Sequence, residues 1–402
     1  MNKNILNKIV KIIQVIICIP FILLIILIYP LIKIKIFEIE TRAIGHFSRS
    51  IDIFLSELSA GIHSTKRTIY ICFPNKIIAN NFLLEKWKSK LFIFKGFIFK
   101  PIFLFFKKIP FGFLFLAPYR HWKENDSWKK PWQAHDIHNV LFKTDKNLIF
   151  SSNEMRMGNE YLKKNEIDIN NYICLLMRTP RYYYENNLNP HNKKNLRDSN
   201  LDNFSTSLEY LSKKKYKVLN LGAKDITHIK DNLIMYNNSK YKNDFNDIFL
   251  PYHCSFMISS GLGLDFIPLL NRRKRFFVNF SEIFAFWIID GDVDLMIPKK
   301  FKNLATGEFI PYSDVLKLNL SNCNYLEDLN KKGFDCVSNS AEEILEAVKE
   351  IEFFHKEKKY LNNDMDFLND KFRRIYYDRY GYRIKKTKIC NSFLKINKDL
   401  IN

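Results

Sequence analysis

Apolar and polar positions along the chain fall into two alternating series. The runs IKIFEI (34–39) and TIYICF (68–73) are rich in β-branched and aromatic residues and read as strands. Helical spacing follows each, near 48–59 and 76–89, and returns over 153–164. A second series opens with the strand YICLLM (172–177) and an amphipathic helix over 201–214. It continues through KVLNLG (217–222), LIMYN (233–237), a helix near 245–252, SFMIS (255–259), a helix near 264–270 and RFFVN (275–279). Continuous apolar strands alternating with helices predict parallel sheets covered on both faces. The expected fold class is therefore α/β, with two doubly wound, Rossmann-like domains. Ligands of such sheets sit at the carboxyl ends of the strands. A helical tail from about 341 to 375 starts on a capping signal, Ser340 with Glu343 three residues on.

The N-terminus breaks this alternation. From Ile12 to Ile32 there are 21 positions without a charge, close to the roughly 20 apolar residues that a spanning helix needs. Lys3, Lys8 and Lys11 precede the run and Lys33 and Lys35 follow it, so the charge pattern leaves orientation open. Pro20 and Pro30 leave both a spanning and an in-plane anchor open. No small-residue cleavage site suggests a removed signal peptide. A second apolar stretch, 91–115, interleaves phenylalanines with Lys95, Lys100, Lys107 and Lys108. It reads either as an interfacial segment, rings in acyl chains and ammonium groups at phosphates, or as a buried helix with snorkelling lysines. The expected division is an anchor (1–33), an N-terminal Rossmann-like domain (34–165), a C-terminal Rossmann-like domain (166–350) and a helical tail (351–402).

Composition narrows the class of partner. At 402 residues, 47% of them hydrophobic, the chain is long enough for two cores and too apolar to be disordered. A formal charge of +21 suits an anionic partner, whether nucleic acid, acidic lipid or phosphorylated substrate. The basic residues are spread out and no nucleic-acid-binding motif is present, so nucleic acid is not the expected partner. Seven scattered cysteines without a CxxC pair point to a reducing compartment rather than a disulfide or zinc framework.

Candidate chemistry gathers at strand ends. Ser259-Ser260-Gly261-Leu262-Gly263 closes one strand and opens a helix, so it is either a tight turn or a phosphate seat built from free N–H groups. It matches neither the dinucleotide fingerprint nor the P-loop. Arg178 ends a strand and Arg197 precedes a helix; each is either a bidentate phosphate clamp or half of a surface ion pair. His46, in the first loop, is either a general base or a helix cap. The acidic run at Asp290, Asp292 and Asp294 offers a divalent-metal site, although three aspartates in a glycine loop are more often solvated, and no metal is expected. His135 and His138 lack a third zinc ligand nearby.

Several blocks, taken in order, resemble a family of bacterial glycosyltransferases encoded with surface-polysaccharide genes. They are TRAIGHFSRSIDIFL (Arg42, Gly45, His46), YICLLMRTPRYY (Arg178), LRDSNLDNFSTSLEYLSKKKYKVLNLG, FNDIFLPYHCSFMISSGLGLDFIPLL, VNF, MIPKKF and FLKINKDLI. The resemblance covers nearly the whole chain from about Phe37, through short motifs. It implies a GT-B-like pair of domains, with Arg42 and His46 on the catalytic, acceptor side. Arg178, Arg197, Asp198, Gly222, Ser259, Ser260, Gly261 and Asn279 are then implied to hold a nucleotide-sugar donor, with no further cofactor. The implied acceptor is a lipid-linked or surface glycan, and the implied place is the cytoplasmic side of a bacterial inner membrane. This chain departs from the family pattern at Asn220, where arginine is usual, and at Arg275, where proline is. The acidic and amide positions at Asp198 and Asn200 are exchanged.

Three function classes follow. The first is a membrane-associated glycosyltransferase. The second is a sugar-nucleotide epimerase on the same architecture, against which a membrane anchor argues. The third is a membrane scaffold with a degenerate site.

Overall fold

The computed structural model describes residues 3–121, 133–179, 193–222, 231–291, 293–361 and 364–401. The chain forms two compact units, Met1–Phe150 and Ser151–Asn402.

The first unit is built on a three-stranded parallel sheet, ordered β1-β2-β3. Strand β1 (Lys33–Ile39) pairs along its length with β2 (Thr68–Pro74), and β2 with the short β3 (Phe92–Ile93). Ahead of β1 runs helix α1 (Lys3–Ile28); α2 (Ile51–Ser59) follows β1, α3 (Asn81–Lys88) follows β2, and α4 (Gly96–Phe106) follows β3. Helix α3 starts where the Asn80 side chain accepts the Leu83 N–H at 2.8 Å, a cap that fixes the turn after β2.

The apolar N-terminal run behaves differently from the segment expected at 1–33. Helix α1 stops at Ile28, before Pro30, and Lys33 already belongs to the sheet. Among the described residues no helix is long and apolar enough to cross a membrane. Cys18, Ile22 and Ile25, spaced to share one helical face, pack into a core with Ile102, Phe103, Phe106 and Phe115. Among the described side chains of α1, Leu23, Leu24 and Leu27 are exposed. The stretch 91–115 divides the same way: Ile102, Phe103, Phe106 and Phe115 are buried, while Phe94, Phe97, Phe111 and Phe113 are exposed. Both readings of this segment therefore hold for part of it.

The second unit carries a seven-stranded, wholly parallel sheet. Its strands are β4 (Tyr172–Leu176), β5 (Lys217–Asn220), β6 (Leu233–Ile234), β7 (Met257–Ser259), β8 (Arg275–Phe280), β9 (Val293–Pro298) and, after a separate antiparallel pair of β10 (Lys300–Asn303) and β11 (Phe334–Val337), β12 (Lys388–Ile389). The order β12-β9-β8-β7-β4-β5-β6 is the dinucleotide-fold order extended by one edge strand. Every residue of β4, β8 and β9 is buried, as strands covered on both faces must be. The chain reverses its direction of winding between β4 and β7, so the switch point lies at their carboxyl ends.

The unit boundaries also differ from those expected. Helix α5 (Ser152–Lys164) belongs to the second unit, where Gly158 rests on the Phe249 ring so closely that a Cβ would lie 2.1 Å from it. Gly158→Ala is accordingly expected to cost about 1–3 kcal/mol despite alanine's better helix propensity. A urea midpoint equal to or above the parent's would contradict this packing. The segment 351–402 is no separate tail. Leu368, Phe372, Tyr376, Ile389, Cys390 and Phe393 share one core with Leu295 and Ile297 of β9. The expected helix over 341–375 is two helices, α6 (Ala341–Glu357) and α7 (Asp366–Tyr380), parted at Lys358 with φ +55°. The capping box at Ser340 and Glu343 forms, with bonds of 2.8 and 3.2 Å.

Candidate functional site

Residues at the switch point of the second unit form one polar network. Arg178 stands two residues past the end of β4. Its backbone N–H donates to Ser260 Oγ at 3.1 Å, tying the end of β4 to the end of β7. Its Nε donates to Asp198 Oδ1 at 3.1 Å, and both side chains are enclosed. Asp198 Oδ2 accepts the Asn195 N–H at 2.9 Å, and the Asp198 carbonyl accepts from Lys299 Nζ at 2.6 Å. Two buried cations thus surround one buried carboxylate. Burial pushes the Asp198 carboxyl up, against the pull of the Asn195 N–H, Arg178 and Lys299. Burial likewise pushes the Lys299 ammonium down.

An accessible edge adjoins this network. Arg197 is 30% exposed and lies 3.7 Å from Glu282, which follows β8. Gly261 faces the same carboxylate, since a Cβ there would lie 4.0 Å from Glu282 Oε2. Its φ of +90° is a conformation that side chains other than glycine rarely adopt. Ser199 Oγ, Asn279 Nδ2 and Ser281 Oγ are buried and find no hydrogen-bond partner among the described residues. Ser199 adjoins Asp198 in the chain, and Asn279 and Ser281 lie at the end of β8.

The loop Ser259–Gly263 corrects an expectation. Its N–H groups are not free for an anion. Ser260 N donates to Leu176 O at 3.1 Å, Gly261 N to Ser259 Oγ at 3.0 Å, and Leu262 N to Asp265 Oδ2 at 2.8 Å. Ser259 Oγ also donates to Asp265, at 2.9 Å, and the carboxylate pairs with Arg275. The loop is therefore folded around a buried Asp265. The helical segment after it is a 3₁₀ turn (Gly263–Phe266) followed by only Ile267–Leu270, too short to supply a useful dipole. Arg275 is buried, its guanidinium lying 4.1 Å from the Phe266 ring and 5.1 Å from that of Phe277.

Other sequence candidates take structural places. Asn279 exchanges two backbone–amide bonds with Asn339, of 2.8 and 2.7 Å, and so clasps β8 to the start of α6. At Gly222 a Cβ would lie 2.2 Å from the Met177 carbonyl, so this glycine permits close approach of two strand ends. Asp290 accepts the backbone N–H groups of Lys385, Lys386 and Thr387, and Asp294 pairs with Lys274 at 2.7 Å. Asp292 lies outside the described residues. Among the described residues no group of three His, Cys, Asp or Glu is placed to hold a metal.

In the first unit the catalytic candidates stand at the carboxyl end of β1. Arg42 donates to Glu40 through Nε and Nη2, both at 2.9 Å, and Glu40 is nearly fully buried. His46 opens a π-helical turn (His46–Ser50) leading into α2. Burial pushes its imidazole down to about 4, with His121 and Arg42 acting in the same direction and Glu40 opposing them. An imidazole so disfavoured as a cation is neutral at pH 7 but a weaker base than its ordinary pKa implies.

This gives a pH prediction. Above the ordinary pKa of 6.5, His46 is neutral both folded and unfolded. As pH falls from 6.5 towards about 4, the unfolded chain takes up a proton that the folded chain refuses, and stability declines. The urea midpoint should fall across this window, and less steeply in His46→Gln. An identical pH dependence in that variant would contradict the assignment.

Glu282 and Lys299 join the switch-point cluster without a local signal in the sequence. Lys299 directly follows β9, so recognising that strand would have placed it at a strand end. Comparison of the chain with protein-family models, with curated proteins and with solved structures finds no match in any of the three.

Proposed function

We propose that the chain is a membrane-associated glycosyltransferase. It binds a nucleotide-sugar donor at the switch point of the second unit and passes the sugar to a lipid-linked or surface-glycan acceptor. The observation that carries this reading is the joined cluster Arg178–Ser260–Asp198–Lys299, with Arg197 accessible beside it, at the strand ends where such sheets take nucleotides. Sugar transfer from a nucleotide requires stabilisation of a leaving diphosphate. Arg197 is the cation that meets it. Arg178 and Lys299 raise the local positive potential and hold the Ser260 and Asp198 segments in place. Arg42 and His46 belong to the acceptor side, His46 as a neutral hydrogen-bond acceptor for the attacking hydroxyl. The GT-B-like pairing of two Rossmann-like domains is part of this proposal.

Membrane association is supported by the unburied apolar faces of α1 and α4, with Leu23, Leu27 and Phe97 each more than half exposed. A scaffold without turnover is the second reading, favoured by the internal use of the loop N–H groups at Gly261 and Leu262. The test is incubation of full-length protein with radiolabelled nucleotide sugars and membrane lipid extract. Label moving into the lipid phase supports transfer. Saturable donor binding without transfer to any acceptor supports the scaffold.

A further inference from the structure

The first unit contains a groove of about 1460 Å³ at the carboxyl ends of β2 and β3, bordered by α4. Its walls are mixed in a specific way. Phe94, Phe97 and Leu104 line it and are all exposed, so apolar surface faces an open concavity. Five lysines line it as well, and no carboxylate does. Lys88 pairs with Glu85 at 2.6 Å and Lys100 lies 3.6 Å from Glu38. Lys76, Lys95 and Lys108 have no ion pair among the described residues. Lys95 stands at the N-cap of α4, which has no side-chain cap and no acidic residue in its first turn.

We propose that this groove holds one phosphate-headed lipid drawn from the bilayer. The chain of the lipid lies along Phe94, Phe97 and Leu104, and its phosphate is met by Lys76, Lys95 and Lys108. Charge complementarity selects this occupant. A neutral chain would leave three unpaired ammonium groups facing it, and a free phosphate would leave the apolar wall in water. The volume exceeds that of ordinary small-molecule pockets and suits a long chain. The groove opens on the unit whose α1 and α4 carry the unburied apolar faces, so a lipid need not leave an apolar environment to enter. This inference rests on the membrane-facing part of the proposed function and not on its transfer chemistry.

The test is native mass spectrometry of the full-length protein released from non-ionic detergent after incubation with farnesyl phosphate, with farnesol and with inorganic phosphate. One retained farnesyl phosphate is expected, with no retained farnesol and no displacement by inorganic phosphate. Lys95→Gln combined with Lys108→Gln should lower occupancy about tenfold or more. Leu104→Trp, at an exposed position, should lower it by filling the groove. Leu27→Asp, on the outer face of α1, should weaken vesicle binding while leaving the retained lipid unchanged. Equal retention of farnesol, displacement by inorganic phosphate, or unchanged occupancy in both groove variants would overturn the proposal, whatever the outcome of the transfer assay.

Discussion

Arg178→Met is expected to weaken donor binding and to destabilise the second unit, and the two losses are separable. The guanidinium holds Asp198, and both side chains are about 6% exposed. Removing it leaves a carboxylate without its ion-pair partner in a buried site, which costs about 3–5 kcal/mol. Neutralising the carboxylate as well, in Arg178→Met with Asp198→Asn, should recover most of that stability, since the asparagine oxygen still accepts from Asn195. Nucleotide affinity should stay about tenfold below the parent's in the double variant, because the ion pair that holds the Asp198 segment beside Arg197 is gone. Thermal unfolding gives the first quantity and nucleotide titration the second. Recovery of both together would reduce Arg178 to a structural residue.

Asp265→Leu is expected to have the largest effect on stability alone. This carboxylate is 1% exposed and accepts from Ser259 Oγ, Leu262 N and the Arg275 guanidinium. The substitution takes this carboxylate away from a buried arginine packed on Phe266 and Phe277, and leaves a serine hydroxyl and a backbone N–H without this acceptor. Breaking a buried pair in this way costs about 3–5 kcal/mol, and the orphaned donors add to it. Asp265→Leu with Arg275→Met should be substantially more stable than Asp265→Leu alone, because the buried charge is gone. Chemical denaturation of the three proteins decides the matter. A single variant within about 1 kcal/mol of the parent would show that the loop does not depend on Asp265.

Much of the fold was legible in the chain because its strands are continuous apolar runs. Strands β1, β2, β4 and β8 lie close to where β-branched and aromatic runs predict them, and α2, α5 and the Ser340 cap follow from helical spacing. Strand β9 was not legible. The sequence DGDVDL resembles a solvated loop, yet Asp290 caps the backbone of Lys385–Thr387 and Asp294 is neutralised by Lys274 from the turn before β8, so that buried strand and acidic run overlap. The place of the tail in the second core is hidden for a related reason. Its two-residue strand β12 carries no periodic signal and gains meaning only by pairing with β9.

The site was legible by position and not by chemistry. Arg178, Asp198 and Ser260 stand at strand ends or beside them and are joined in the structure. Their partners come from far along the chain: Lys299 is a hundred residues beyond Asp198, and nothing local announces the contact. The Ser259–Gly263 loop illustrates the opposite error. Its small residues promised open N–H groups, but an acidic side chain a few positions downstream accepts one of them and holds the serine that accepts another. The uncharged N-terminal run had the same ambiguity. Absence of charge states that a segment avoids water; it does not distinguish lipid from the face of α4.

The central claim is that the switch point of the second unit holds the diphosphate of a nucleotide donor. Isothermal titration of the full-length protein with a panel of nucleoside diphosphates and their monophosphates tests it most directly, with Arg197→Gln as the comparison because that side chain is accessible and its loss leaves Arg178, Asp198 and Lys299 paired. The account predicts saturable binding of one nucleoside diphosphate, weaker binding of its monophosphate, and about tenfold or greater loss in Arg197→Gln. Absence of binding by every member of the panel, or an affinity in Arg197→Gln equal to the parent's, would contradict it.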